Sequence, residues 1–171
     1  MRFLFILLFI LCGKIYSQEV LKNSEIFKKD NLVYKTENLQ LFTGTTQSFK
    51  SNNHLLLERE YINGMLRKYI IYFNGKKQIV SDEEYYNENG NLEKKIRYSL
   101  DHKIQWIKFY NEYGNKILEE DYKNGILIYS CPYYNGKKNG IVFSINENGE
   151  RKECVFENGK LIKTDKEKPN G

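Results

Sequence analysis

From Leu32 onward the chain alternates between short apolar runs and polar turn segments. The runs are rich in Tyr, Phe, Ile and Leu, the aromatic and branched side chains that favour strands. Apolar residues within a run tend to share one parity, as Leu55 with Leu57 and Leu118 with Tyr122 do, which places them on one face of a pleated strand. The pattern predicts a succession of short strands separated by tight turns.

Asparagine–glycine pairs mark the predicted turns. Nine of the 12 glycines follow an asparagine, and Asn-Gly favours the type I′ hairpin turn because both central residues of that turn need a positive φ. An aromatic residue stands three positions before glycine in a shorter form of the turn, as in YKNG. An apolar residue stands four positions before it in a longer form, as in YNENG.

The predicted repeat turns contain Gly44, Gly64, Gly75, Gly90, Gly114, Gly125, Gly136, Gly149 and Gly159. The aromatic residues that precede turns, which are candidates for binding or for packing, are Tyr61, Tyr72, Tyr86, Tyr110, Tyr122, Tyr133 and Phe156. One expected turn, near Tyr98 to His102, has no glycine, and we expect Asp101 to serve there. A repeat of about 20 to 25 residues cannot bury a hydrophobic face alone and must stack on its neighbours. The fold class expected is therefore all-β, an elongated open antiparallel meander of repeated hairpins.

The N-terminus has the layout of a secretory signal peptide over residues 1–17. Arg2 precedes an apolar stretch from Phe3 to Cys12 that is too short to span a bilayer. Cleavage is expected between Ser17 and Gln18, so the mature chain is expected to be secreted or periplasmic. A lipid anchor at Cys12 is the less favoured alternative, because a lipid-modified cysteine usually follows a small residue and Leu11 stands there.

The mature chain is expected to hold one domain with two short ends. Residues 18–30 have spacing that allows a short amphipathic helix or an ordered arm. Residues 31–163 form the predicted β-repeat domain. Residues 164–171 are a charged tail that is expected to be disordered.

Charge and cysteine content limit the classes of function. Without Arg2 and Lys14, 25 basic residues face 22 acidic ones, and the two signs are interleaved, so no strong field for polyanions is expected. We therefore expect no nucleic-acid partner. Cys131 and Cys154 occupy equivalent positions of successive repeats, on strands two apart. That separation is about 9.6 Å, beyond the reach of a disulfide, so two free, partly buried thiols are predicted.

No pattern in the sequence favours catalysis. His54 and His102 lie in polar, turn-like segments and are interpreted as solvated loop residues. The carboxylate pairs Glu83–Glu84 and Glu119–Glu120 are adjacent on strands, so the members of each pair point to opposite faces and cannot act as a facing acid and base. The Cys and His spacings match no zinc pattern, and no phosphate-binding loop occurs. No catalytic residue, metal or cofactor is assigned.

From Leu32 to Lys163 the sequence resembles the MORN-repeat variant family (membrane occupation and recognition nexus). The segments that carry the resemblance are LFTGT (Leu41–Thr45), YYNENGNLEKKIRY (Tyr85–Tyr98), YNEYGNKILEEDYKNG (Tyr110–Gly125), YYNGKKNG (Tyr133–Gly140) and INENGERKECVFENGK (Ile145–Lys160). Bacterial proteins of this kind are often labelled antitoxin components of toxin–antitoxin systems. The resemblance thus implies a β-repeat scaffold with an antitoxin-like or immunity-like role.

Together these features predict an exported, non-catalytic scaffold that binds a partner protein through a sheet face. A rigid aromatic-lined face would bind at low ordering cost. The alternative left open is association with the cell surface, through lipid headgroups or cell-wall glycan. Basic residues clustered on one face would favour that alternative.

Overall fold

The computed structural model describes residues 19–164, and almost all of its regular structure is β. The strands are β1 (Val20–Lys22), β2 (Ile26–Lys29), β3 (Leu32–Lys35), β4 (Gly44–Phe49), β5 (Leu55–Ile62), β6 (Met65–Tyr72), β7 (Val80–Tyr86), β8 (Leu92–Tyr98), β9 (Ile104–Tyr110), β10 (Lys116–Lys123), β11 (Ile126–Tyr134), β12 (Lys137–Lys138), β13 (Gly140–Ile145), β14 (Arg151–Glu157) and β15 (Lys160–Thr164). A single 3-10 turn, Asn23–Glu25, lies between β1 and β2. No helix in this part of the chain is long and apolar enough to cross a membrane.

The strands form one long open sheet. In the described chain this sheet has 13 strands, in the order β1-β4-β5-β6-β7-β8-β9-β10-β11-β13-β14-β15, with β12 folded back beside the end of β11. Every neighbouring pair from β4 onward is antiparallel, and β1 alone runs parallel to its neighbour β4. The sheet does not close, so β1 and β15 are its edges. The predicted all-β meander of hairpins is confirmed.

The N-terminal segment is an ordered arm and not an amphipathic helix. Its strand β1 pairs with β4, while β2 and β3 form a separate two-stranded sheet. Leu21 and Ile26 pack against a buried cluster of Val33, Phe42 and Tyr61. Burying these apolar side chains against the sheet outweighs the weak local preference for a helix.

The shorter predicted turns have the expected geometry in four hairpins of the described chain. In each, asparagine and glycine both have positive φ, for example 54° at Asn124 and 81° at Gly125. The four are Asn63–Gly64, Asn124–Gly125, Asn135–Gly136 and Asn158–Gly159. In the longer turns glycine alone has positive φ, and the asparagine side chain three residues earlier accepts two backbone N–H groups. This is seen at Gly90, Gly114 and Gly149.

Three turn predictions are wrong. Gly75 lies in a longer loop that is closed by a hydrogen bond from Phe73 N to Ile79 O (2.8 Å), and its φ is not positive. Gly44 is the first residue of β4, where the missing Cβ leaves room for the carbonyl of Glu19. In the turn without glycine, His102 and not Asp101 takes the left-handed conformation, with φ of 60°.

A β-bulge accompanies the turn-adjacent aromatic in most hairpins. In these hairpins the pairing register between the two strands shifts by one residue next to the aromatic residue that precedes the turn. The aromatics at these shifts are Phe49, Tyr61, Tyr72, Tyr86, Tyr98, Tyr110, Tyr122 and Phe156. A bulge raises the local twist, so these residues mark the points where the sheet bends.

Most of the sheet is a single layer. The cluster of Val33, Phe42 and Tyr61 is the main buried core in the described residues, and it lies where β2 and β3 pack on the first strands. Farther along, Ile70 and Ile96 are isolated buried residues, each with 7% exposure. The middle strands therefore present two side-chain faces.

Cys131 and Cys154, the two cysteines within residues 19–164, are free thiols, as predicted. Cys131 on β11 is fully buried and Cys154 on β14 is half-buried, and β13 lies between their strands. The predicted signal peptide, its cleavage site at Ser17–Gln18, and residues 165–171 of the predicted tail lie outside the described residues. Thr164 is the last residue of β15.

Candidate functional site

Cross-strand pairing defines the two faces. On one face Trp106 pairs with Arg97 on β8 and with Asp121 on β10, and Asp121 pairs in turn with Tyr129 on β11. We call this side the tryptophan face. Neighbouring residues point the other way, so the opposite side carries Ile70, Ile96 and Ile107 and is called the isoleucine face.

The candidate aromatics divide between the two faces and the two ends of the strands. Alternation from the paired residues places five of them on the tryptophan face, near the turns that follow β5, β7, β9, β11 and β14. These are Tyr61, Tyr86, Tyr110, Tyr133 and Phe156. Tyr72 and Tyr122 lie on the isoleucine face, near turns at the other end. All but Tyr133 lie at a bulge, which gives them a structural role in bending the sheet.

Tyrosine–glutamate hydrogen bonds organise the isoleucine face. Tyr98 and Tyr85 both donate to Glu83, at 2.9 and 2.8 Å, and the Lys68 ammonium lies 2.7 Å from the same carboxylate. Tyr122 donates to Glu120 at 2.8 Å, and Tyr72 donates to Glu58. The carboxylates in the middle of this face therefore lie beside isoleucines with their oxygens hydrogen-bonded to tyrosine hydroxyls.

Ion pairs and cation–ring contacts organise the tryptophan face. Arg97 donates to Asp82 at 2.9 Å, and its guanidinium lies 5.2 Å from the centre of the Trp106 ring. The Lys108 ammonium lies 4.8 Å from that ring and 3.3 Å from Glu119. These contacts fix the indole between two cations.

The same face is ordered on either side of Trp106. Lys95 and Glu84 form an ion pair of 2.6 Å, and Tyr86 donates to Glu84 at 2.6 Å. Lys116 lies 2.7 Å from Glu119 and 3.9 Å from the centre of the Tyr133 ring. The side chains of this face are therefore held in place by one another.

Burial and neighbouring groups together shift the pKa of two carboxyl groups on opposite faces in opposite directions. Burial raises the pKa of Glu83, but the Lys68 ammonium and the two tyrosine hydroxyls outweigh it and hold that pKa below its usual value. On the tryptophan face, burial and then the charge of Glu119 raise the pKa of Asp121, and they outweigh the opposing charge of Lys108. The ionised form of Glu83 is thus stabilised by its surroundings, whereas the ionised form of Asp121 is destabilised.

The residues considered for catalysis do not come together. Glu83 and Glu119 lie on opposite faces from Glu84 and Glu120 respectively, as predicted. The Asp101 carboxylate accepts from Ser99 and pairs with Lys103 at 2.8 Å, while His102 stacks on Tyr98. Among residues 19–164, no group of three or more His, Cys, Asp or Glu side chains could hold a metal ion.

One of the two histidines departs from expectation. His54 is 9% exposed, and its Nε2 has no hydrogen-bond partner within the described residues. It follows the β4–β5 turn, where Lys50 N donates to His54 O at 2.9 Å. The interpretation of His54 as a solvated loop residue is wrong, because the residue is buried where it precedes β5.

Sequence reasoning missed the middle of the tryptophan face. Trp106, Asp121 and Tyr129 lie in the strand interiors, away from the glycines that mark the turns. Strand alternation could have placed each of them on a face of its own strand. Tyr129 lies beside Asp121 because of the bulge between Asp121 and Tyr122. No residue type in the sequence predicts that bulge.

Comparisons with known proteins give only partial matches to solved structures. No protein-family model and no curated protein matches the sequence. Among solved structures, the chain is similar to one in the GtfA/B complex bound to UDP and GlcNAc, with 12% identity and a TM-score of 0.46, covering 78% of this chain and 29% of that one.

Two further structures give similar partial matches. TarM matches with 17% identity and a TM-score of 0.41, over 64% of this chain and 21% of that one. The complex of accessory secretory proteins 1, 2 and 3 of Streptococcus pneumoniae matches with 12% identity and a TM-score of 0.26, over 76% and 22%. The chain thus spans less than a third of the length of each. The resemblance to MORN-repeat variants stays a prediction.

Proposed function

We propose that this protein is an exported, non-catalytic scaffold that binds a partner protein through the tryptophan face of its sheet. The observation that supports the proposal most directly is the prior ordering of that face. Trp106 lies between Arg97 and Lys108, and both cations are held by carboxylates of the same face. A surface whose side chains are already fixed loses little conformational entropy on binding.

The dimensions of the face suit a protein partner. Strands β6 to β11 with β13 and β14 are mostly six to nine residues long. With strands about 4.8 Å apart and about 3.3 Å per residue, they present roughly 900 Å². A standard protein–protein interface buries about 800 Å² on each partner, so one face is large enough to form such an interface.

The distribution of charge supports a protein partner over a lipid surface. Lys95, Arg97 and Lys108 on the tryptophan face are interleaved with acidic residues and paired with them. A cluster of unpaired basic residues, which anionic headgroups would favour, is not formed by these side chains. Binding to lipid headgroups or cell-wall glycan is therefore the second candidate. An antitoxin-like or immunity-like role is a narrower form of the first.

A native pull-down with face-specific variants tests the proposal. The tagged chain is used to capture proteins from extracts of its source cells, and retained proteins are identified by mass spectrometry. Tyr133→Ala alters the tryptophan face and Tyr122→Ala alters the isoleucine face, so the two variants are a matched pair. We expect a stoichiometric partner that is lost with Tyr133→Ala and kept with Tyr122→Ala.

Circular dichroism must first show that both variants remain folded. Equal retention by the two variants would refute binding through the tryptophan face. Enrichment of lipid or glycan, with no stoichiometric protein, would favour surface association.

A further inference from the structure

Asp121 differs from the other carboxylates in the middle of the tryptophan face. Asp82, Glu84 and Glu119 each pair with a cation within 3.3 Å. In the described part of the chain, the Asp121 side chain forms no hydrogen bond and no ion pair, although it is half-buried. Leaving a partly desolvated carboxylate without a counterion costs free energy.

Two aromatic side chains flank this carboxylate. Trp106 is its cross-strand partner on one side and Tyr129 is its partner on the other. Strands two apart are about 9.6 Å from each other, so a cation above Asp121 would lie about 4.8 Å from the line of each aromatic strand. Cation–ring attraction acts within about 6 Å of a ring centre.

The neighbourhood already binds cations in this manner. Arg97 and Lys108 lie 5.2 and 4.8 Å from the centre of the Trp106 ring. Lys108 is engaged by Glu119, at 3.3 Å. The charge of Lys108 also acts on Asp121, but in the described chain no cation forms an ion pair with that carboxylate. The hairpin of β2 and β3 packs near Tyr61 and Leu66, several strands away, so it does not cover the row.

We propose that Asp121, between Trp106 and Tyr129, receives a lysine or arginine side chain from a basic segment of the partner protein. The proposal rests on the proposed function and names the chemistry that the partner must supply. Charge complementarity selects a cation, because Asp121 is the carboxylate of this row that lacks one. A metal ion is a poorer occupant, because the nearby Glu119 is already engaged by Lys108 and Lys116.

Fluorescence can test the site directly, because Trp106 is the only tryptophan of the chain. The protein is titrated with a pentalysine peptide at constant ionic strength, and pentaglutamate serves as the matched peptide. The chain has a formal net charge of +5, so non-specific attraction to pentalysine is weak. We expect a saturable change in Trp106 emission with pentalysine and none with pentaglutamate.

Variants then assign the response to Asp121. We expect Asp121→Asn to weaken pentalysine binding by about tenfold or more, as loss of a charge-assisted contact does. Tyr129→Leu should weaken it in the same direction, by removing one of the flanking rings. Asp101→Asn removes an exposed carboxylate from a turn and should leave the affinity unchanged.

No saturable response, or an equal response in Asp121→Asn and the parent protein, would overturn the inference. Folding does not confound this test, because removing an unpaired partly buried charge should not destabilise the sheet. The outcome is also separate from that of the pull-down. A partner that depends on Tyr133 but is retained by Asp121→Asn would leave the scaffold proposal standing and remove this one.

Discussion

Two asparagine–glycine pairs with similar flanking sequences should respond differently to the same substitution. Gly125 in YKNG has φ of 81°, whereas Gly75 in YFNG has no positive φ. A built Cβ has no atom within 4 Å at either glycine. Gly125→Ala therefore tests backbone conformation alone, and Gly75→Ala is its matched control.

The expected magnitudes follow from the local backbone and the space around it. An L-residue in the left-handed region costs about 1–2 kcal/mol, so we expect Gly125→Ala to lower the free energy of unfolding by about that much. Gly75→Ala should be neutral or stabilise by up to about 1 kcal/mol, because alanine restricts the unfolded chain. Gly64→Ala should cost more than either, because its Cβ would lie 2.8 Å from Leu41 and 2.9 Å from the carbonyl of Val33.

Urea unfolding followed by circular dichroism measures these differences. With a slope of about 2 kcal/mol per molar urea, a loss of 1.5 kcal/mol lowers the midpoint by roughly 0.75 M. We expect the order Gly75→Ala, Gly125→Ala, Gly64→Ala, from least to most destabilised. Equal midpoints for Gly75→Ala and Gly125→Ala would refute the assignment of different turn types to the two pairs.

Three further predictions concern single side chains. Cys131 and Cys154 should both be alkylated when the protein is unfolded without reductant, and Cys154 should react faster in the folded protein. Peptide mass spectrometry measures both reactions, and an intramolecular disulfide would contradict the strand order. Burial and the hydrogen bond to Glu120 raise the pKa of Tyr122 to about 12, so Glu120→Gln should lower it, and an unchanged ring titration by NMR would argue against the contact. Because the folded pKa of Asp121 is raised, its charge weakens the fold as pH rises above the usual range for aspartate. Asp121→Asn should therefore melt higher than the parent at pH 7 and equally in strong acid, and a lower melting temperature at pH 7 would mean that Asp121 has a stabilising partner.

The sequence predicts the class of fold because its strongest local signals are turn signals. An Asn-Gly pair between apolar runs demands a hairpin, and a succession of hairpins produces a meander. Gly75 shows the limit of that inference, because the same dipeptide lies in a loop from Phe73 to Ile79 when the next strand begins only at Val80. His102 shows the converse, since a residue other than glycine takes the left-handed position.

The candidate site was less predictable because it depends on register. Without a bulge, the two-residue turn at Asn124–Gly125 would bring Asp121 opposite Ile128. The bulge shifts the partner to Tyr129, and a shift of one residue exchanges the side chains of the two faces. An aromatic residue precedes the turn at each of these bulges, yet aromatic residues also precede turns without one, as Tyr134 does before β12. The residue type therefore does not identify the bulge in advance.

The lack of a deep core in the middle strands connects stability to binding in this protein. A sheet covered on one side would hide half of its side chains, but here the same residues must both hold the strands together and face the surroundings. Glu83 is stabilised by Lys68 and two tyrosines on its own face, so the fold does not require a partner there. Among the described residues Asp121 has no hydrogen bond or ion pair, and the charge of Lys108 does not offset its burial and the charge of Glu119. Natural proteins commonly keep a locally unfavourable group where function requires it, which is the reason for seeking the partner's contact at Asp121 before seeking it among the aromatics at the turns.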